Sequence, residues 1–419
     1  MQLWNTLTQT KEEFVAGSLV RMYVCGITPY ATTHLGHART YLTFDVLIRE
    51  IERTGRTVRY AQNVTDVDDP LFERAQKLGI STADLARDCT RLFQDDLAAL
   101  SIRPPDYMPR ASDEIRDILR LVGELVAKNL AYQRGGTVYF RVRSVASYGS
   151  FSRLSRDQML VSADEHGESI SDPMKEDPLD FVLWKPSQPG ETSWPSPWGV
   201  GRPGWHIECS AMALRYLGPE LDIHGGGTDL IYPHHENEIV QSESATGHAP
   251  LARYWIHSAM VRLDGTKMSK SLGNLIFVRE LRKRYDPLAI RHYLLTTHYR
   301  DQLDYSEAGL DASVESVRQL EQVLADTVTR GDEAALSDWE ARFDRAMTDD
   351  LDTPLALDIL SEAVGGVLGA PNNDQGGNGA AVVCRMAARL GLAEDHGLTG
   401  LEFFPEKDGG KAKGVQYLG

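Results

Sequence analysis

The sequence predicts an α/β fold: a parallel sheet, split by an inserted subdomain and followed by a C-terminal helical bundle. Three observations carry this. Residues 19 to 64 read strand, helix, strand; residues 106 to 200 break that pattern with a hairpin signal and a Pro/Trp/Gly-rich run; and from Leu310 the apolar period turns helical. The chain has 419 residues, enough for two to three domains at roughly 150 residues each. Its 42% hydrophobic and 25% charged residues are the mix of an ordinary globular protein.

Leu19 to Cys25 is strand-like, Gly26-Ile27-Thr28-Pro29 is turn-rich, and Tyr41, Phe44, Leu47, Ile48 and Ile51 recur at helical steps until Gly55. Thr57 to Val64 reads as a second strand. A right-handed crossover and a parallel sheet follow, with ligands expected at the carboxyl ends of the strands, where Cys25 and the Asn63 to Asp69 loop emerge. The sheet domain is expected in two pieces, residues 1–105 and 201–250. Between them lies the insertion, 106–200, with the hairpin-like Gly135 to Val142 and the run from Trp184 to Trp205. A connecting region, 251–309, leads to the bundle, 310–395, and a short tail, 396–419. In the bundle Val314, Val317, Leu320, Val323 and Leu324 are expected on one face, and Thr353 should cap the helix that Pro354 opens. Pro371 to Gly379 reads as a flexible loop, and Asp408 to Gly419 as a frayed tail.

Lys plus Arg is 44 against 60 Asp plus Glu, a net charge of −16, so no general polyanion-binding surface is expected. That argues only weakly against nucleic acid, because a basic patch can sit on an acidic protein. The densest basic stretch is Arg279, Arg282, Lys283 and Arg284, whose commonest fate is a solvated helix face. No apolar run approaches the roughly 20 residues of a membrane helix, and the start lacks a basic and apolar leader, so a cytoplasmic protein without a membrane partner, and a monomer, is expected. Four cysteines (Cys25, Cys89, Cys209, Cys384) lie too far apart for a disulfide framework.

Five strings carry chemistry. His34-Leu35-Gly36-His37 sits where the first strand's loop enters a helix, a place suited to an anion such as a triphosphate. Lys267-Met268-Ser269-Lys270-Ser271 follows a turn; two lysines in a mobile loop can track the charge that develops on a transferring phosphate. Cys25, Cys209, His234 and Glu238 are an ordinary tetrahedral zinc set, His234 and Glu238 sharing a helix face. Two buried free cysteines are the alternative. Asp222 to Asp229 runs a strand into Gly225-Gly226-Gly227, where backbone can approach an aromatic ring or a ribose and Asp229 can accept ribose hydroxyls. Asn63 to Asp69 brings three carboxylates together, either for a divalent ion or as a capped, solvated loop.

The His34–His37 and Lys267–Ser271 strings, in this order, look like the paired signatures of class I aminoacyl-tRNA synthetases. Together with Met22 to Gly26, Ala38 to Tyr41, Asn63 to Asp69, Pro203 to Met212, Asp222 to Glu238 and Lys267 to Asn274, they resemble the cysteinyl-tRNA synthetase family. The resemblance implies a Rossmann-like catalytic domain, a stem-contact role for residues 251–309, and a zinc held by Cys25, Cys209, His234 and Glu238. It implies ATP contacts at His34, His37, Gly226, Gly227, Asp229, Lys267 and Lys270, of which His34, His37, Lys267 and Lys270 are catalytic, and cysteine contacts at Cys25, Gly26, Thr65, Trp205 and His224. Mg²⁺ would accompany the triphosphate, and the reaction would form cysteinyl-adenylate.

Three strings, Cys25 to Tyr30, Asp68 to Leu71 and Asp349 to Pro354, look more like the paralogue that joins cysteine to the amino group of glucosaminyl-inositol in mycothiol synthesis. That paralogue lacks an anticodon-reading domain, and here little sequence follows Leu392. Against it, His224 and Pro233 to Glu238 are written as in the tRNA enzyme. The expectation is therefore an ATP-dependent cysteine ligase with a small amino-sugar acceptor, Asp66 or His37 serving as base, and with tRNA as the alternative acceptor. A silent binding or regulatory paralogue is the third reading; the joint presence of both signature strings and all four ligand candidates speaks against it.

Overall fold

The computed structural model describes residues 1–268, 272–325, 332–370 and 378–394. Lys270 with its two serine neighbours, most of the expected 371–379 loop, and the expected tail lie outside the described residues. The chain opens with a hairpin, β1 (Gln2–Asn5) and β2 (Thr10–Glu13), then runs through β3 (Leu19–Ile27), α1 (Leu35–Arg53), β4 (Thr57–Val64), α2 (Asp69–Leu78) and α3 (Thr82–Ala99). The insertion holds α4 (Ile115–Ala127), β5 (Ala131–Arg134), β6 (Thr137–Phe140), α5 (Arg156–Glu165), β7 (Phe181–Pro186) and β8 (Gly201–Pro203), its four strands forming one antiparallel sheet. The chain returns through α6 (Trp205–Leu217), β9 (Leu221–Gly227), α7 (Glu236–Thr246) and β10 (Ala252–Ser258). Then come β11 (Val261–Leu263), β12 (Thr266–Lys267), α8 (Val278–Leu281), α9 (Pro287–Leu295) and β13 (Leu303–Tyr305). The bundle is α10 (Glu307–Ala325), α11 (Glu333–Thr348), α12 (Thr353–Gly369) and α13 (Gly379–Arg389).

The central sheet is parallel in the order β10-β9-β3-β4, the Rossmann-like architecture of the expected fold class. Its fourth strand corrects one expected boundary: β10 lies beyond residue 250, where the sheet domain was to end. The sequence hides it because its apolar run is only Tyr254-Trp255-Ile256, flanked by the exposed Arg253 and the buried polar His257.

Alternation along β3 sorts the layers. Val20, Met22, Val24 and Ile27 join a core that runs through α1 and α9 into the bundle, while Tyr23 and Cys25 face Cys209, Met212 and Ala213 of α6. Helix α6 is shared: Ile207 and Ala211 belong to the insertion's own core with Phe181 and Val240, Cys209 to the sheet side. Two details of the bundle differ from expectation. Val314 is 39% exposed and Leu310 takes its place in the apolar stripe, since Val314 falls at the outer flank of the face set by Val317, Leu320 and Val323. The cap of α12 is Asp352, whose carboxylate accepts from Leu355 N at 3.1 Å, with Thr353 already inside the helix. Among the described residues, no helix is long and apolar enough to cross a membrane.

Candidate functional site

The parallel ladder between β3 and β4 is irregular between Val24 and Ile27, where Cys25 and Gly26 sit. Gly26 donates to Asn63 Oδ1 at 2.8 Å, and a Cβ on it would stand 1.6 Å from the Asn63 carbonyl oxygen, so only glycine fits. This break aims Cys25 at the end of the sheet, between α6 and α7, while Tyr41 of α1 holds the Cys25 carbonyl at 3.1 Å.

There the structure brings together Cys25, Cys209, His234 and Glu238, all buried, with one polar atom of each within 4.8 Å of the others. Glu238 is the hub. Its Oε1 accepts from the Cys25 thiol at 3.2 Å and lies 2.9 Å from His234 Nε2; its Oε2 lies 2.9 Å from His224 Nε2. His234 and Glu238 share one face because they stand four residues apart where the chain, after an extended Tyr232, turns into α7. Burial alone would raise Glu238, but His224 and His234 hold it well below the usual carboxylate range. Burial would likewise lower His234, yet Glu238 and Cys209 push it up to about 10. Burial drives Cys25 up; Cys209, against its own burial, is brought below the ordinary thiol value by the hydrogen bond with Cys25 and the charge of His234. Two sulfurs, an imidazole and a carboxylate converging in a dry site fit a tetrahedral metal. A second set overlaps the first: Cys25, His224, His235 and Glu238. His224 Nδ1 and His235 Nε2 are buried without a hydrogen-bond partner, and both belong to this overlap.

The remaining expected cysteine contacts lie around this cluster. Trp205, half-buried at the start of α6, stacks on His234 with ring centroids 4.5 Å apart. His224 stacks on Trp255 at 4.4 Å, and Thr65 is buried beside Asn63, accepting from its Nδ2 at 3.0 Å.

The other end of the site is more open. His34 caps α1, its Nδ1 accepting from His37 N at 3.3 Å, and the two rings stack at 3.7 Å. Burial brings His34 down to about 4, and burial with the charge of His34 holds His37 well below its ordinary value, so both are neutral near pH 7. Lys267 is exposed on β12, and the chain that follows it is tied to the start of α1 by backbone pairing, Leu35 N donating to Ile276 O and Val278 N to Thr33 O, both at 2.9 Å. A buried cation secures the same junction. Arg39 of α1 donates to the carbonyls of Ala259, Met260, Thr297, His298 and Asp301, which flank the segment carrying Lys267. Asp229 is exposed just past β9.

The triple glycine departs from expectation. A Cβ at Gly225 would meet the Phe44 ring at 2.2 Å and one at Gly226 would meet Leu230 at 2.8 Å, so these two make room for the protein's own side chains. Gly227, by contrast, lies under Asp229. The acidic loop resolves toward its capping reading: Asp66 accepts from Ser112 N and Oγ, Asp68 caps α2, and Asp69 pairs with Lys185 and Arg202. The basic stretch is ion-paired: Arg279 and Arg282 with Asp96, Lys283 with Glu280, Arg284 with Glu307.

Sequence reasoning missed Arg39, His206, His235 and His257, all buried. His257 Nε2 lies 2.8 Å from His235 Nδ1, and its Nδ1 lies 2.8 Å from Thr6 Oγ1 in the first hairpin. Only His257 lies on a strand, among apolar neighbours; His206 stands in α6 and His235 at the entry to α7, where residue type gives no comparable signal.

Residues 11–315 match the family described as tRNA synthetases class I (C) catalytic domain. A cysteine–tRNA ligase of Dehalococcoides mccartyi is 46% identical over 367 residues, covering 85% of this chain and 78% of that protein. One of Thermococcus onnurineus is 45% identical over 380 residues, covering 86% and 79%. Among solved structures, Mycobacterium tuberculosis methionyl-tRNA synthetase in complex with methionyl-adenylate has a TM-score of 0.61 at 16% identity, covering 89% of this chain and 90% of that one, a likeness of fold alone.

Proposed function

The chain belongs to the class I cysteinyl-tRNA synthetase family, an ATP-dependent ligase family, and from that premise we propose that it activates cysteine at a zinc site and esterifies it to the terminal adenosine of tRNA. The observation that carries this is the buried convergence of Cys25, Cys209, His234 and Glu238 beside a nucleotide end built from His34, His37 and Lys267. Zinc held by the four would bind the substrate thiolate directly and reject serine, whose hydroxyl is a harder ligand. A difference of that kind makes a separate editing step unnecessary.

The protein's own groups do the rest by position. Trp205 covers the His234 ring and closes the thiol end to water. The cysteine carboxylate then attacks the α-phosphorus of ATP and pyrophosphate leaves, with the positive end of α1 and the two neutral imidazoles as hydrogen-bonding partners for the phosphates. Lys267, with Lys270, follows the charge on the departing pyrophosphate, and Asp229 and Gly227 serve the ribose. Mg²⁺ enters with the triphosphate; the carboxylates of the Asn63 to Asp69 loop are occupied by capping and ion pairs and do not offer it a dedicated seat.

For the acceptor, Glu238 as a fourth donor and relatives named cysteine–tRNA ligase favour tRNA. The glucosaminyl-inositol acceptor that the sequence alone puts first draws no support from these relatives. The ion pairs Lys283–Glu280 and Arg284–Glu307 after α8 are compatible with tRNA, because exposed ion pairs contribute little and yield readily to phosphates, whereas Arg279 and Arg282 are committed to the buried Asp96. Single-turnover transfer from preformed cysteinyl-adenylate tests the reading. RNase-sensitive product on tRNA, with glucosaminyl-inositol inert, is expected; an amide on the amino sugar with tRNA inert would overturn it.

A further inference from the structure

A second file of polar groups runs into the metal cluster from the insertion. Glu168, just past α5, places Oε1 3.2 Å from His206 Nε2. Its Oε2 lies 3.6 Å from Lys175 Nζ, a side chain 2% exposed whose nitrogen makes no hydrogen bond. His206 is buried on α6 and turns its Nδ1 to His234 Nδ1 at 2.9 Å, while His234 Nε2 faces Glu238 Oε1 at 2.9 Å.

Counting protons along this file leaves one arrangement. A carboxylate only accepts, so His206 Nε2 carries the hydrogen that points at Glu168. In the neutral imidazole Nδ1 is then a lone pair, and the hydrogen between the two Nδ1 atoms belongs to His234. His234 therefore spends its Nδ1–H on His206 and turns Nε2 to the cluster, where by the same rule its hydrogen points at Glu238 Oε1; a metal would take that nitrogen by displacing the proton. Without a carboxylate behind it, His206 could place its hydrogen on Nδ1 instead, where it would oppose His234 Nδ1–H and unsettle the ring.

We propose that Glu168, acting through His206, is a positioning residue that fixes the tautomer and orientation of His234 as a metal ligand, so that the insertion helps set the affinity of the site. This rests on the zinc reading above. It also gives Glu168 a reason to be buried: burial favours its acid form, and His206 first and the charge of Lys175 after it keep the carboxylate ionised. Partners one step removed from a metal typically change its affinity by about 10- to 100-fold.

Cobalt in place of zinc reports both the ligands and their strength, through the thiolate–cobalt absorption and by competition with a chelating dye. The proteins to compare are the full chain, K175M, E168Q, E168A and E168A/K175M, the last removing the cation that E168A alone would leave buried and unpaired. Relative to K175M, E168A/K175M is expected to lose about tenfold or more in cobalt affinity and to raise KM for cysteine more than for ATP, while E168Q, whose amide oxygen still accepts from His206, retains most of it. Melting temperatures of K175M and E168A/K175M should agree. Cobalt affinity of E168A and E168A/K175M within about twofold of their parents would overturn the role of Glu168. Should the full chain and C209S bind cobalt alike, the zinc reading itself fails, which is a separate outcome.

Discussion

The two ends of the site are built on different principles. At the thiol end Cys25, Cys209, His234 and Glu238 are buried to 4% exposure or less, and each is held by side chains that come from three different parts of the chain. At the nucleotide end His34 and His37 are half-buried, Lys267 and Asp229 are exposed, and backbone bonds through Leu35 and Val278 do the assembling. On the proposed function the contrast follows from the ligands. A metal that must tell sulfur from oxygen needs fixed donors and no water, whereas a triphosphate must enter, lose pyrophosphate and leave, which needs groups that can move.

The largest break in this comparison should come from Cys209→Ser. Losing one donor of a closed set is expected to abolish stoichiometric metal and to lower cysteine-dependent pyrophosphate exchange on the order of 100-fold, with ATP binding almost unchanged. Metal analysis and nucleotide titration of the same preparation check this, and equal loss of both substrates would mean the ends are not separable.

Lys267→Ala and His37→Asn strike the other end. Each is expected to reduce the rate of adenylate formation by about 10- to 100-fold while leaving cobalt absorption intact. A change within about threefold for both would remove them from the transition state. Arg39→Met sharpens the point, since it takes the shared donor from five carbonyls, that of Ala259 buried and the others partly so, and loosens the frame around the Lys267 segment. Destabilisation of about 1–3 kcal/mol, with a lower adenylation rate and unaltered metal content, is expected; denaturant unfolding and the exchange assay read the two effects.

The smallest effect is one of pH. His34 titrates at about 4 in the folded protein against an ordinary 6.5, so the unfolded chain binds the extra proton. Its contribution to stability is complete above 6.5 and is lost as pH falls from there toward 4. In His34→Gln the melting temperature should fall less over that window than in the unaltered chain; parallel curves would show that burial does not keep His34 neutral.

Much of the site was legible before folding. The helix entry at His34 to His37, the His234–Glu238 step and the βαβ unit follow from residue type at short spacing, whereas the joining of Cys25 and Cys209 to that step came from the family resemblance. Glycines were only half legible: three in a row announce close approach, but whether a ligand or Phe44 does the approaching depends on a helix about 180 residues away. The acidic loop posed the same problem, and Ser112 and Arg202 answered it from distant positions. The edge strand β10 was missed because its polarity serves the site and the solvent at once.

By itself the sequence determined which groups could do the chemistry and on which local elements they stand, because strand alternation, helix capping and the His234–Glu238 step act over a few residues. Only the tertiary structure decided which of them meet. Cys25 and Glu238 are 213 positions apart, and His206 reaches Glu168 across the boundary of the insertion, contacts set by the parallel crossover and by α6 packing two cores at once. Burial did the rest: the same imidazole is raised to about 10 at His234 beside a carboxylate and lowered to about 4 at His34 without one, a difference of surroundings that residue identity does not contain.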